Sequence, residues 1–195
     1  MNPIVAALCV ARNSEYHSLP GVDCYDIQRD VRTFSGGVPV VAHPPCRAWS
    51  AYCAHQAKPL PGEMELGFLC ADWLRKFGGV LEHPAHSRLF AAAGLPDPLE
   101  SSLPDPLESS QDGIWTAEVL QSWWGDTRTK ETWLCFSGID KRSVQFPIRL
   151  HNPTGDRRRW QLLSKKARSK TTPELAAWLV DAARRSQKVT AVSPS

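Results

Sequence analysis

The chain has 195 residues and a formal net charge of +3, the size of one ordinary domain. Hydrophobic residues make up 42% and charged residues 22%, enough apolar content for a packed core, and no run approaches the ~18–20 apolar residues of a membrane span. Six cysteines at 9, 24, 46, 53, 70 and 135 contain no CxxC pair, which argues against a secreted disulfide scaffold and for reduced thiols in a cytoplasmic setting.

Residues 3–11, PIVAALCVA, form a short apolar run that reads as a buried strand. They carry no basic leader, so a signal peptide is not expected. VDCYDI alternates like a second strand, and QRDVRTF reads as a polar turn or short helix. VPVVAH is again a buried-strand pattern and runs into Pro44-Pro45. Over 63–77, Leu66, Leu69, Cys70, Trp73, Leu74 and Phe77 share one helical face, and Gly78-Gly79 stops that helix. VLE follows as a strand, and Pro84 opens a helix over AHSRLFAAAG. Residues 95–102 and 103–110 repeat the octapeptide LPDPLESS, whose four prolines describe a tolerated loop insertion. TAEVLQSWW then reads as a helix, with Trp123-Trp124 as core residues, and TWLCFSG reads as a strand. An amphipathic helix over 172–186 has Thr171 or Thr172 as N-cap and Pro173 near its first position. The organisation is therefore one domain over 1–186 and a frayed tail over 187–195. The alternation of strands and helices predicts an α/β fold with a mostly parallel sheet and helices on both faces.

Charge is unevenly distributed. Residues 141–170 hold ten Lys or Arg against the single acid Asp156, a net +9, while the remainder holds thirteen basic and nineteen acidic residues, a net −6. A basic stretch on an acidic body suggests a polyanion, with nucleic acid first. Its candidate contacts are Arg157, Arg158, Arg159, Lys165 and Lys166, with Arg47 beside the chemical centre.

In such sheets ligands bind beyond the carboxyl ends of strands. Two candidate strands end there in reactive groups: VPVVA in His43-Pro44-Pro45-Cys46, and VL in Glu82-His83-Pro84. A thiolate can add to C6 of a pyrimidine while a carboxylic acid bonds N3 and stabilises charge developing in the ring. Arg47 is placed to lower the thiol pKa.

VVAHPPCRAWS resembles the Pro-Cys motif of DNA cytosine-5 methyltransferases, with Cys46 at the nucleophile. GGVLEHPAHSRLF is similar to their strand-Glu motif, with Glu82 at the carboxylate and His83 where the family usually has Asn. VLQSWWGDTRTKETWLCFSG resembles the later Gln-x-Arg-x-Arg motif, with Arg128, Lys130 and Thr132 at those positions, and LLSKKARSKTTPELAAWLV resembles the closing motif. The order agrees across residues 38–182, in the style of small bacteriophage-encoded members. The resemblance implies a Rossmann-like methyltransferase fold, Cys46, Glu82, Arg128 and Lys130 as catalytic residues, and DNA or a pyrimidine nucleotide as substrate. It also implies S-adenosylmethionine as cofactor, near Asp26, Pro44, Pro45 and Ser169. The chain departs from the family in three places. The loop LCVARNSEYHSLPG has one late glycine in place of a Gly-rich turn, Ser169-Lys170 replaces a Gly-Asn pair, and no separate recognition domain is present. Two other classes compete. One is a degenerate methyltransferase-like module that only binds nucleic acid or protein. The other is a Cys/His metal-dependent enzyme built on His43, Cys46, Cys53 and His55.

Overall fold

A computed structural model describes residues 4–49, 58–99, 113–126, 130–147 and 170–188. Six strands form one sheet: β1 (Val5–Leu8), β2 (Val22–Tyr25), β3 (Val40–Ala42), β4 (Gly79–Pro84), β5 (Ile114–Leu120) and β6 (Glu131–Ser137), in the order β2-β1-β3-β4-β6-β5. The helices are α1 (Glu63–Phe77), the short α2 (Arg88–Ala92) and α3 (Pro173–Ala183).

The apolar runs form strands because both sheet faces are covered, and neighbouring side chains enter opposite cores. Ala6, Leu8, Val40, Ala42, Leu81, Trp133 and Cys135 join Leu74 and Phe77 of α1 in one cluster. Val5, Ala7, Val41, Val80, Leu134 and Phe136 join Leu175 and Leu179 of α3 in the other. Helix α3 begins where the sequence places it: the Thr172 side chain accepts from Leu175 N, and Pro173 occupies the first turn. At the other end of α1, Gly78 (φ +73°) closes the helix and Gly79 (φ +117°) starts β4. A Cβ on Gly79 would lie 2.0 Å from Val40 O, so only glycine lets β3 and β4 meet in this register.

The expected Rossmann-like sheet, mostly parallel and sheathed by helices, is corrected. The sheet is mixed. β1–β2, β1–β3 and β3–β4 are parallel, while β4–β6 and β5–β6 are antiparallel and supply thirteen of the twenty-three registered residue pairs. Among the described residues there are three α-helices, and only α1 and α3 reach seven residues. The misreading centres on TAEVLQSWW, which forms β5 followed by a single 3-10 turn over Gln121–Trp124. Its Ala, Glu, Leu and Gln are good helix formers, but here tertiary pairing overrides local propensity. The connection from β5 to β6 is too short for a crossover, so the two strands can only run antiparallel. Trp123 and Trp124 do belong to the core beside α3.

Other differences are local. The helix expected after Pro84 begins only at Arg88, with Ser87 capping Leu89 N. The start of the expected tail is tied down: Gln187 N donates to Gly138 O at 2.8 Å, and Lys188 Nζ donates to Arg75 O at 2.7 Å. Residues 100–112 of the repeated loop region, and 148–169 of the basic segment, lie outside the described residues. No helix among the described residues is long and apolar enough to cross a membrane.

Candidate active site

The parallel register of β3 and β4 sets Ala42 beside Leu81, so both strands deliver their following residues to one rim. Beyond β3, Pro44-Pro45 leads to Cys46, which opens a 3-10 turn over Cys46–Ala48. Cys46 is exposed. Its loop is fixed from three sides. Arg47 pairs with Glu63 at the start of α1, Arg88 N donates to Trp49 O at 3.0 Å, and Arg88 Nη2 donates to Ala48 O at 3.3 Å. Trp49 packs against α1 at Gly67, where a Cβ would stand 2.6 Å from the indole nitrogen.

Glu82 sits in β4 just beyond the residues paired with β3, at 6% exposure. Its Oε2 is 2.9 Å from His43 Nδ1, and its Oε1 is 3.0 Å from Gln121 Nε2 and 3.7 Å from Lys130 Nζ. His43 Nε2 in turn meets Tyr16 Oη at 2.8 Å, and Gln121 Nε2 reaches Thr132 Oγ1 at 3.0 Å. The result is a polar chain across the rim, from the turn after β1 through the ends of β3 and β4 to the β5–β6 connection.

Electrostatics separate the two reactive groups. Burial pushes the Glu82 carboxyl up, but Lys130, the His43 hydrogen bond and the neighbouring imidazoles outweigh it and bring its pKa to about 2. The Cys46 thiol is raised, first by desolvation and then by the Glu82 charge, with Lys130, its own backbone N–H and Arg47 pulling the other way. At neutral pH the site therefore holds a thiol beside a carboxylate, not the thiolate beside a carboxylic acid that the sequence suggests. The Glu82 charge reaches the thiol. Behind them, His83 is 1% exposed, and burial lowers its pKa to about 4, so it is neutral.

The expected site residues divide into three sets. Cys46, Glu82 and Lys130 come together. Arg47 reaches the thiol electrostatically, but its guanidinium is occupied by Glu63. Asp26 lies on the same rim after β2, its Oδ1 accepting from Gln28 N at 2.8 Å and Arg29 N at 3.1 Å, its Oδ2 3.8 Å from His17. Pro44 and Pro45 shape the loop. Arg128, Ser169, Arg157, Arg158, Arg159, Lys165 and Lys166 lie outside the described residues. The reading from sequence missed Tyr16 and Gln121, placed Thr132 in the Gln-x-Arg-x-Arg motif without a role, and considered His43 only as a metal ligand. Tyr16 and Glu82 occupy both His43 nitrogens, and Cys53 and His55 of the alternative metal set lie outside the described residues. Among the described residues no group of three His, Cys, Asp or Glu side chains is placed to hold a metal. Comparison with protein-family models, curated proteins and solved structures returned no match.

Proposed function

We propose that the chain is a DNA-modifying enzyme of the cytosine-5 methyltransferase kind, in which Cys46 adds to C6 of the target base. One observation carries this reading. An exposed thiol in the loop after one strand and an ionised, buried carboxylate on the parallel neighbour lie on one rim, and the carboxylate's charge raises the thiol pKa.

In the addition, the Cys46 S–H bond breaks and an S–C6 bond forms. N3 takes up a proton as the thiol gives one up, and the Glu82 carboxylate accepts the N3–H hydrogen bond, so no net charge accumulates on the ring. The C5=C6 electron pair then makes C5 nucleophilic. Lys130, a cation held at the same carboxylate, opposes negative charge on the ring and orients the base. After methyl transfer a water-derived base removes the C5 proton; the addition then runs backwards, N3 gives up its proton, the S–C6 bond breaks, and Cys46 is restored.

S-adenosylmethionine would supply the electrophilic methyl group. The end of β2 fits its adenosine half. Asp26 is ionised, its carboxyl held below the usual range by the Arg29 and Gln28 backbone N–H groups. Ile27 beside it is 90% exposed, an apolar side chain that a purine could cover. Asp26 would accept from the ribose diol. The basic segment 141–170 would track the phosphate backbone.

The test uses an oligonucleotide carrying 5-fluoro-2′-deoxycytidine, in which loss of the C5 substituent is blocked, together with radiolabelled cofactor. A denaturation-stable protein–DNA band that is absent in Cys46→Ser is expected. Absence of both adduct and label transfer, on duplex, single strand and free nucleotide alike, would overturn the proposal.

A further inference from the structure

Tyr16 belongs to no motif that suggested the site, and His43 lies in the Cys46 motif without a role there, yet together they reach its carboxylate. Tyr16 sits in the turn after β1, 1% exposed in the core against α3. Burial, then the nearby Glu82 charge, raises its phenol well above the ordinary value, so it keeps its proton. A phenol carries one proton, and among the described residues its one side-chain partner is His43 Nε2 at 2.8 Å. With the phenol as donor, Nε2 accepts and the ring N–H sits on Nδ1. That N–H then meets Glu82 Oε2 at 2.9 Å, and the carboxylate can only accept.

We infer that Tyr16 and His43 are positioning residues of the reaction centre: the phenol fixes His43 as its Nδ1–H tautomer, and the imidazole holds Glu82 by Oε2, leaving Oε1 to face Lys130 and Gln121. This rests on the catalytic reading of Cys46 and Glu82 and deepens it. A free carboxylate exchanges its two oxygens by rotation about its terminal bond. Here one oxygen is held by His43, and the other is held toward the cation by Gln121 and Lys130. Holding N3–H on Glu82 needs such a fixed geometry, because general acid–base groups act only within hydrogen-bond reach. The wrong tautomer would turn an unprotonated Nδ1 toward the carboxylate and set two lone pairs against each other.

Two measurements on the full chain test this separately. Long-range 15N–1H NMR of histidine-labelled protein reads the tautomer directly, with the His43 signals assigned by their loss in His43→Asn. A protonated Nδ1 and an unprotonated Nε2 are expected for His43, with a tautomer mixture in Tyr16→Phe. An Nε2–H ring in the unaltered protein, or no change in Tyr16→Phe, would overturn the inference. The second measurement is the rate of adduct formation with the 5-fluoro-2′-deoxycytidine oligonucleotide. Tyr16→Phe should lower its maximal rate by about 10- to 100-fold with half-saturation unchanged, the scale on which orienting partners act. His43→Asn, which retains a donor near the Nδ1 position, should keep more of the rate than His43→Leu. Equal losses in the two variants would overturn the positioning role. If the tautomer is as expected but the unaltered protein forms no adduct, the pyrimidine reading fails and the catalytic role of the pair fails with it.

Discussion

Glu82 and Lys130 act on the Cys46 thiol with opposite signs, and this makes the thiol a reporter of both. In Glu82→Gln the repulsion that opposes thiolate formation is gone, so alkylation of Cys46 by iodoacetamide at pH 7 should quicken. In Lys130→Met it should slow. Mass spectrometry can follow the modification at Cys46 by its own peptide; burial holds Cys24 near pKa 11 and Cys135 near 12, and the Cys9 contact and then burial raise Cys70 well above its ordinary value. Equal rates in the three proteins would remove the electrostatic account of the site. Glu82→Gln also leaves a largely buried ammonium without its partner, a change that costs about 3–5 kcal/mol when a buried pair is broken on one side. Cys46 and Glu82 were singled out in the sequence because each follows an apolar strand run, and Lys130 through the resemblance of its motif. Tyr16 and Gln121 were not. Each meets the site only through strand order: Tyr16 is 27 residues from His43, and Gln121 is 39 from Glu82. A tyrosine in a polar loop and a glutamine after a helix-like run carry no local mark of that meeting.

At the scale of elements, the Cys46 loop is set by how closely it approaches α1. Gly67 sits in the helix interior, where alanine would ordinarily be favoured by about 1 kcal/mol. Here its Cβ would meet the Trp49 indole at 2.6 Å and Leu89 Cδ1 at 2.9 Å. Gly67→Ala should therefore leave the helix content by circular dichroism intact, while shifting tryptophan emission and changing Cys46 alkylation by several-fold. Unchanged emission and reactivity would show that the loop absorbs the methyl group without moving. Helix α1 was readable to the residue, because its apolar period, its first-turn acids and its closing glycine all agree. β5 was misread because its exposure alternates only partly, with Ile114, Thr116 and Val119 buried and Trp115 half-buried. A weak two-residue period over helix-forming side chains favours the wrong element when the partner strand is not yet known.

For the whole molecule, the buried titratable pair at the end of β4 sets the response to acid. His83 stays neutral in the fold down to about pH 4, against 6.5 when free, so the unfolded chain binds a proton that the folded chain refuses. Stability is full above about 6.5 and falls as pH drops from 6.5 toward 4. Glu82 adds a second loss between 4.5 and about 2, where the unfolded carboxyl protonates before the folded one. Urea unfolding across pH should show both limbs, and His83→Leu should flatten the upper one. A flat profile from 6.5 to 4 in the unaltered protein would contradict the burial of a neutral imidazole. The basic segment makes a separate prediction about partners. Each phosphate contact contributes about −0.9 to the logarithmic salt slope of duplex binding. Replacing Arg157, Arg158 and Arg159 with Ala should thus reduce its magnitude by about two to three. It should weaken all sequences alike, because phosphate contacts carry no sequence information. An unchanged slope in fluorescence anisotropy would remove these arginines from the interface.

Strand β6 lies between β4 and β5 although it comes last of the three, and Gly79 of β4 pairs with Ser137 of β6. Lys130, Thr132 and Gln121 all belong to the β5–β6 hairpin. Pairing β6 against β4 therefore closes the sheet and brings the cation to Glu82 in one event. Gly79 and Ser137 are distant in sequence, and such pairings are expected to form slowly. A molecule whose sheet is complete has, by the same step, the counter-ion of its carboxylate in place.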